Sequence, residues 1–196
     1  LLEQVPVNPA ETSDLDYDLL KVSDIYDFAV TMDVNDVKAL FDRQMAYNCA
    51  IAEEGLANDY GANIGKVLLR TYGDNVHIRA RAKAAAGSDA RMSGCEKPVV
   101  INSGSGNQGM TTSLPVIEYA KELKVSEEKL YRALALANLV TIHQKTSIGR
   151  LSAFCGAVSA GAGAGAGIAW LKGADAKGVA HTVANAIAIT GGIVCD

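Results

Sequence analysis

Arg150-Leu-Ser-Ala-Phe-Cys155-Gly-Ala-Val-Ser-Ala160-Gly-Ala-Gly-Ala-Gly165-Ala-Gly-Ile-Ala-Trp170-Leu171 is the stretch whose reading decides the fold. From Ala153 to Leu171 it has no charged side chain for nineteen positions; Lys172-Gly-Ala-Asp175 then breaks it, and a second small-residue segment runs from Ala176 to Val194. If both are helices, each extends roughly 26 Å at about 1.5 Å per residue, and an antiparallel pair returns Cys195 to the end where Cys155 began. Strict alternation over Gly161–Gly167 also suits a silk-like strand. The following Ile168-Ala-Trp170-Leu favours a helix that accepts about 0.5–1 kcal/mol per glycine relative to alanine, a cost that implies close helix contact. A membrane span has this length, but Ala and Gly supply little transfer free energy, so a buried hairpin is the better reading.

Working outward, 196 residues with 49% apolar content suffice for one buried core, and residues 1–196 are read as a single domain. A net charge of -4, with only Arg79-Ala-Arg-Ala-Lys83 locally basic, gives no electrostatic reason for nucleic acid or an anionic membrane. The four widely spaced cysteines (Cys49, Cys95, Cys155, Cys195) and the lack of a signal peptide favour free thiols in a reducing cytoplasm. A start at Leu1 and an end just after an apolar run suggest a piece of a longer protein.

The remaining segments read as helices, giving an all-α fold of around eight helices. Leu1–Leu20, with Pro6, Pro9 and alternating Asp14, Asp16 and Asp18, is a loop-like, solvated acidic start. It lacks the glycine and terminal Glu of a calcium loop. Ser23 is expected to cap a helix over Asp24–Met32, and Asn35 a longer one with Val37, Phe41, Met45, Asn48 and Ile51 on one stripe. Gly61–Tyr72 and Asn75–Met92 follow; His77 in the latter reads as a surface or hydrogen-bonded histidine. Ser126 caps a long helix with Glu127 and Glu128 on its positive end. That helix leads to His143, Lys145 and Arg150, just before Cys155.

A second informative stretch is Pro98-Val-Val-Ile-Asn102-Ser-Gly-Ser-Gly-Asn-Gln-Gly109. Its β-prone start is followed by a loop, Ser103, Gly104, Ser105, Gly106, Asn107, Gln108 and Gly109, opening a helix from about Gln108 to Leu123. Backbone N–H groups and the dipole at such a helix start suit a carboxylate or a phosphate. Gly104–Gly109 matches GxGxxG, but no βαβ unit surrounds it and no Walker lysine follows. A plain turn before a capped helix fits the same residues.

At Asn102-Ser-Gly-Ser-Gly-Asn-Gln-Gly109, Arg150-Leu-Ser-Ala-Phe-Cys155-Gly and Gly192-Ile-Val-Cys195-Asp, the chain resembles the iron–sulfur L-serine dehydratase alpha-chain family. The L-cysteine desulfidase-like branch is the nearest likeness. The resemblance extends to Asn48-Cys-Ala-Ile-Ala-Glu-Glu-Gly-Leu56 and Arg132-Ala-Leu-Ala-Leu136. It implies a [4Fe–4S] cluster held by three cysteines, no pyridoxal phosphate, and a small amino-acid substrate. Cys155 and Cys195 match two of the ligands, and the third is expected beyond residue 196. It further implies a lyase that converts L-serine or L-cysteine to pyruvate and ammonia, with sulfide from cysteine. The Ser103–Gly109 loop is then expected to bind the substrate carboxylate. Lys145 and Arg150 become electrostatic helpers near the cluster, although helix-end cations bonding the last carbonyls fit equally.

Two other readings follow from the same residues. One is a non-catalytic small-residue helical scaffold or interaction domain with structural cysteines; on either this or the lyase reading, the exposed small-residue faces leave a homo-oligomer open. The other is a zinc site of Cys155, Cys195 and His143 or His181; His181 falls about halfway along the hairpin, which leaves His143.

Overall fold

The computed structural model describes residues 16–149 and 152–194. The acidic start before Asp16, Arg150 and Cys195 therefore lie outside the described residues. The described chain is all-α, with a 3-10 turn at Tyr17–Leu19 and eight helices: α1 (Val22–Thr31), α2 (Val34–Ala57), α3 (Ile64–Tyr72), α4 (Val76–Met92), α5 (Gly106–Glu122), α6 (Glu127–Thr146), α7 (Gly156–Leu171) and α8 (Ala176–Thr190).

Local signals set several of these boundaries. Asn75, Ser126 and Asp175 each accept a backbone N–H at a helix start, from Ile78, Lys129 and Gly178, which satisfies donors that have no intrahelical partner. Two expected caps move. Asp33, not Asn35, caps α2, and its carboxylate takes the Asn35 N–H at 2.9 Å. Lys21 precedes α1 without a side-chain cap, while the Ser23 hydroxyl turns to Asp24.

Helix α6 runs through the largest core. Tyr131, Leu134, Leu136, Ala137 and Val140 are buried there with Ile25 and Ala29 of α1, Phe41 of α2, Val116 and Ile117 of α5, Ala164 and Ala166 of α7, and Val179 and Val183 of α8. A smaller cluster joins Ile51 and Ala52 of α2 to Ala90 of α4 and Met110 and Leu114 of α5. The glycines the sequence marks as costly lie at the crossings. A Cβ on Gly163 would overlap Thr141 Oγ1 and stand 2.5 Å from the Ala137 carbonyl oxygen, and one on Gly167 would be 2.9 Å from the Ala133 carbonyl oxygen. Those two residues let the backbones of α7 and α6 approach closely, as expected of the small-residue pattern. The turn at Lys172–Asp175 folds α8 back on α7, with Gly173 at φ 96. Among the described residues no helix is long and apolar enough to cross a membrane.

Pro98–Ile101 is extended but forms no strand. Its pairing partner is a side chain: the fully buried Asn48 accepts the Val100 N–H at 2.9 Å, approaches the Val100 carbonyl with Nδ2 at 3.4 Å, and donates to Ser113 Oγ at 3.0 Å. One carboxamide thus does the work of a neighbouring strand, so a β-prone run is accommodated inside a helical fold.

Electrostatics fasten α4 to α5. Glu118 on α5, 4% exposed, takes Lys83 at 2.8 Å and Lys121 at 3.2 Å. Burial pushes its carboxyl up, but the Lys83 and Lys121 ammoniums outweigh that and hold it below its ordinary value. A carboxyl depressed by folding contributes stability that is present above its unfolded value of 4.5 and is lost as pH falls through the folded value. Urea midpoints measured from about pH 5 down to about pH 3 should therefore fall more steeply for the native chain than for Glu118→Gln. Parallel curves would remove Glu118 from the acid response.

Candidate functional site

The loop before α5 is built by its glycines. Asn102 and Ser105 exchange two backbone hydrogen bonds, at 3.2 and 3.1 Å, around Ser103 at φ 48 and Gly104 at φ 95. Two successive positive-φ residues make a I′-like turn, which a glycine adopts without strain. At Gly106 a Cβ would collide with Val99 and Arg91, and at Gly109 with the Val100 carbonyl. These two glycines serve packing: one admits Arg91 over the start of α5 and the other lets the extended segment cross it.

Helix α5 then opens without a side-chain cap on Ser105. Gly109 N–H returns to the Ser105 carbonyl at 3.1 Å, so Gly106, Asn107 and Gln108 are the first-turn N–H groups with no intrahelical acceptor. Arg91 stands beside them, its guanidinium donating to Asn107 Oδ1 at 3.2 Å, and it forms no ion pair among the described residues. A cation at the positive end of a helix is unfavourable alone and favourable around an anion. Arg91 was not anticipated from the sequence, where it is one more arginine in an Ala/Arg-rich helix. Its Gly106 contact is tertiary.

Helix α7 begins in the same uncapped way at Cys155, whose side chain makes no capping bond. The two helix starts meet. Gly156, the first residue of α7, lies against the Gln108 carboxamide so closely that a Cβ would collide with it, and Gln108 Oε1 is buried with no hydrogen-bond partner. An orphaned buried acceptor carries a cost of about 1–3 kcal/mol. The return of the hairpin also appears here: Phe154 bridges Val194, and Cys155 N–H donates to the Ile193 carbonyl at 2.6 Å. The residues just before Cys155 and just before Cys195 are therefore paired.

Cys155 opens into a cavity of about 380 Å³ between the end of α6, the start of α7 and the end of α8, lined by His143, Gln144, Ser147, Ser159, Gly191 and Gly192 among others. Lys145, 4% exposed in the last turn of α6, does not line it. Nor does any residue of Ser103–Gly109; Asn102 and Ser103 face a second cavity of about 360 Å³ with Phe28, Leu40, Asn138 and Ile142. The observed link from this stretch to α7 is Gln108, in the first turn of α5, lying against Gly156. Of the other histidines, His77 accepts or donates at 2.6 Å with the Tyr119 hydroxyl, and His181 is exposed on α8.

Among the described residues no three His, Cys, Asp or Glu side chains are grouped to hold a metal. Cys155 is a free, half-buried thiol at the cavity. Cys49 is half-buried against the core with its thiol pushed up by burial, and Cys95 packs in the smaller cluster. The described donors therefore fit one thiolate ligand of a cluster and not a full set.

The fold and site together define an all-helical domain in which a cavity thiol sits at the meeting of two uncapped helix starts. The chain belongs to the serine dehydratase alpha chain family, which matches residues 15–196. It is 65% identical over 181 residues to a UPF0597 protein of Desulfitobacterium hafniense, covering 92% of this chain and 42% of the relative. A UPF0597 protein of Lachnoclostridium phytofermentans is 56% identical over 190 residues, covering 97% and 46%. One from Fusobacterium nucleatum is 48% identical over 186 residues, covering 92% and 44%. The chain spans less than half the length of these relatives. No solved structure matches it.

Proposed function

We propose that this chain carries part of the active site of an iron–sulfur-dependent lyase that eliminates the β-substituent and the amino group of L-serine or L-cysteine. The products are pyruvate and ammonia, with sulfide when the substrate is cysteine. What carries the reading beyond family membership is the Gln108–Gly156 contact, which ties an anion-suited helix start to the cysteine expected to ligate the cluster. Cys155 and Cys195 are the proposed thiolate ligands within the chain, with a third supplied outside residues 1–196. When bound, such a group offers a Lewis-acidic iron to the leaving β-hydroxyl or β-thiol.

This chain's own residues are assigned to binding. Gly106, Asn107 and Gln108 N–H groups, with Arg91, take the substrate carboxylate, as the sequence motif implied for Ser103–Gly109. The unpaired Gln108 Oε1 accepts from the substrate ammonium, which would remove its buried deficit. Lys145 and Arg150 retain an electrostatic role only in this proposal.

Pyruvate and sulfide release from L-serine and L-cysteine, measured with the anaerobically purified family-length protein, tests the reading. Arg91→Gln should raise KM about ten- to a hundredfold, the loss of one charge-assisted hydrogen bond of about 1.5–3 kcal/mol. No release from either substrate by a cluster-loaded protein would overturn the lyase assignment, and an unchanged KM would overturn the role of Arg91. The scaffold alternative predicts neither product.

A further inference from the structure

We infer that the outer face of α8 and the Gly161–Gly165 edge of α7 form a seam that the remaining part of a family-length polypeptide covers with apolar helix. Three features of the face point this way. From Gly178 to Thr190 there is no Lys, Arg, Asp or Glu, yet only Val179 and Val183 of α8 are buried. Lys177, His181 and Asn185 give α8 one exposed polar stripe, but its apolar end is bare where such a face is ordinarily packed: Ile189 is 86% exposed and Ile187, Ile193 and Val194 are exposed beside it.

The glycines are the second feature. Gly163 and Gly167 are required by α6, but a Cβ on Gly161 would meet nothing within 4 Å, and one on Gly165 would make only an ordinary 3.4 Å contact with the Thr182 methyl. Each glycine costs about 0.5–1 kcal/mol of helix stability relative to alanine. Among the described residues no neighbour calls for that cost at these two positions. A helix packed against them from outside would, because a bare glycine edge lets two helix axes come to the short end of the usual 8–10 Å range.

Third, Gly161 stands between two open grooves. One, of about 280 Å³, runs along Ala157, Ala162, Ala186 and Ile189; the other, of about 410 Å³, along Ala84, Pro115, Gly165 and Ile168. The ridge and its grooves have the shape that side chains of a docked helix fill.

Family length identifies the occupant. The curated relatives place more than half of their length outside the part this chain matches. A segment on the same polypeptide arrives at high effective concentration, whereas a second copy must meet the full cost of association. The seam rests on packing and not on the lyase chemistry, so either can fail alone.

Hydrogen exchange and sedimentation test it together. This chain alone should sediment as a monomer. The amides of its α8 should be at least about tenfold less protected than their counterparts in the full-length Desulfitobacterium hafniense relative, after correction for intrinsic rates. Equal protection in the two proteins would overturn the seam. So would a dimer of this chain that Ile189→Glu dissociates, since the occupant would then be a second copy.

Discussion

Cys155→Ala is expected to lower pyruvate and sulfide release by the family-length protein by more than about a hundredfold, the upper range for losing an outer partner of a metal ligand. Its thermal midpoint without the cluster should barely move. The thiol is half-buried at a cavity and not packed in either core cluster, so trimming it leaves the helices in place. The backbone contribution of this residue, the N–H donated to the Ile193 carbonyl, survives the substitution. Measuring activity and melting on the same sample separates the outcomes. Activity within a few-fold of the parent would remove Cys155 from the site, and a large fall in melting temperature would make it a structural cysteine.

The second large effect is a change of sign between two glycines two positions apart. Gly163→Ala puts a Cβ into Thr141 Oγ1 and 2.5 Å from the Ala137 carbonyl oxygen. Overpacking of about 1–3 kcal/mol then outweighs the gain of about 0.5–1 kcal/mol in helix propensity. Gly161→Ala meets nothing within 4 Å, so only the propensity gain remains. At roughly 2–4 °C per kcal/mol for a chain of this size, the first variant of this isolated chain should melt several degrees lower and the second a few degrees higher. A melting point lowered equally by both would mean that α7 does not lie against α6 as described.

Of the fold, the sequence made the helices and the hairpin legible because their signals are local: Asn75 and Ser126 cap the helices they precede, and the Lys172–Asp175 break turns α8 back on α7. The sequence places the caps of α1 and α2 two residues late, at Ser23 for Lys21 and at Asn35 for Asp33, since several neighbouring side chains offer capping oxygens and only the chain's path selects among them. The extended Pro98–Ile101 run was visible as β-prone, but its partner, Asn48, lies fifty-two residues away from Val100 and left no local trace.

The chain's composition determined by itself that it is helical, tightly packed through Ala and Gly, and without a basic surface, because propensity, capping and periodicity act over a few residues. The family motifs singled out Cys155 and the Ser103–Gly109 loop. Only the tertiary structure decided that Gln108 lies against Gly156 at the start of α7, that Arg91 stands over the start of α5, and that Lys145 is buried without lining the cavity. It also decided which glycines are required. Gly161 and Gly163 are indistinguishable in an alternating sequence, and they differ because α6 presses on Gly163 while no described residue comes within 4 Å of a Cβ at Gly161.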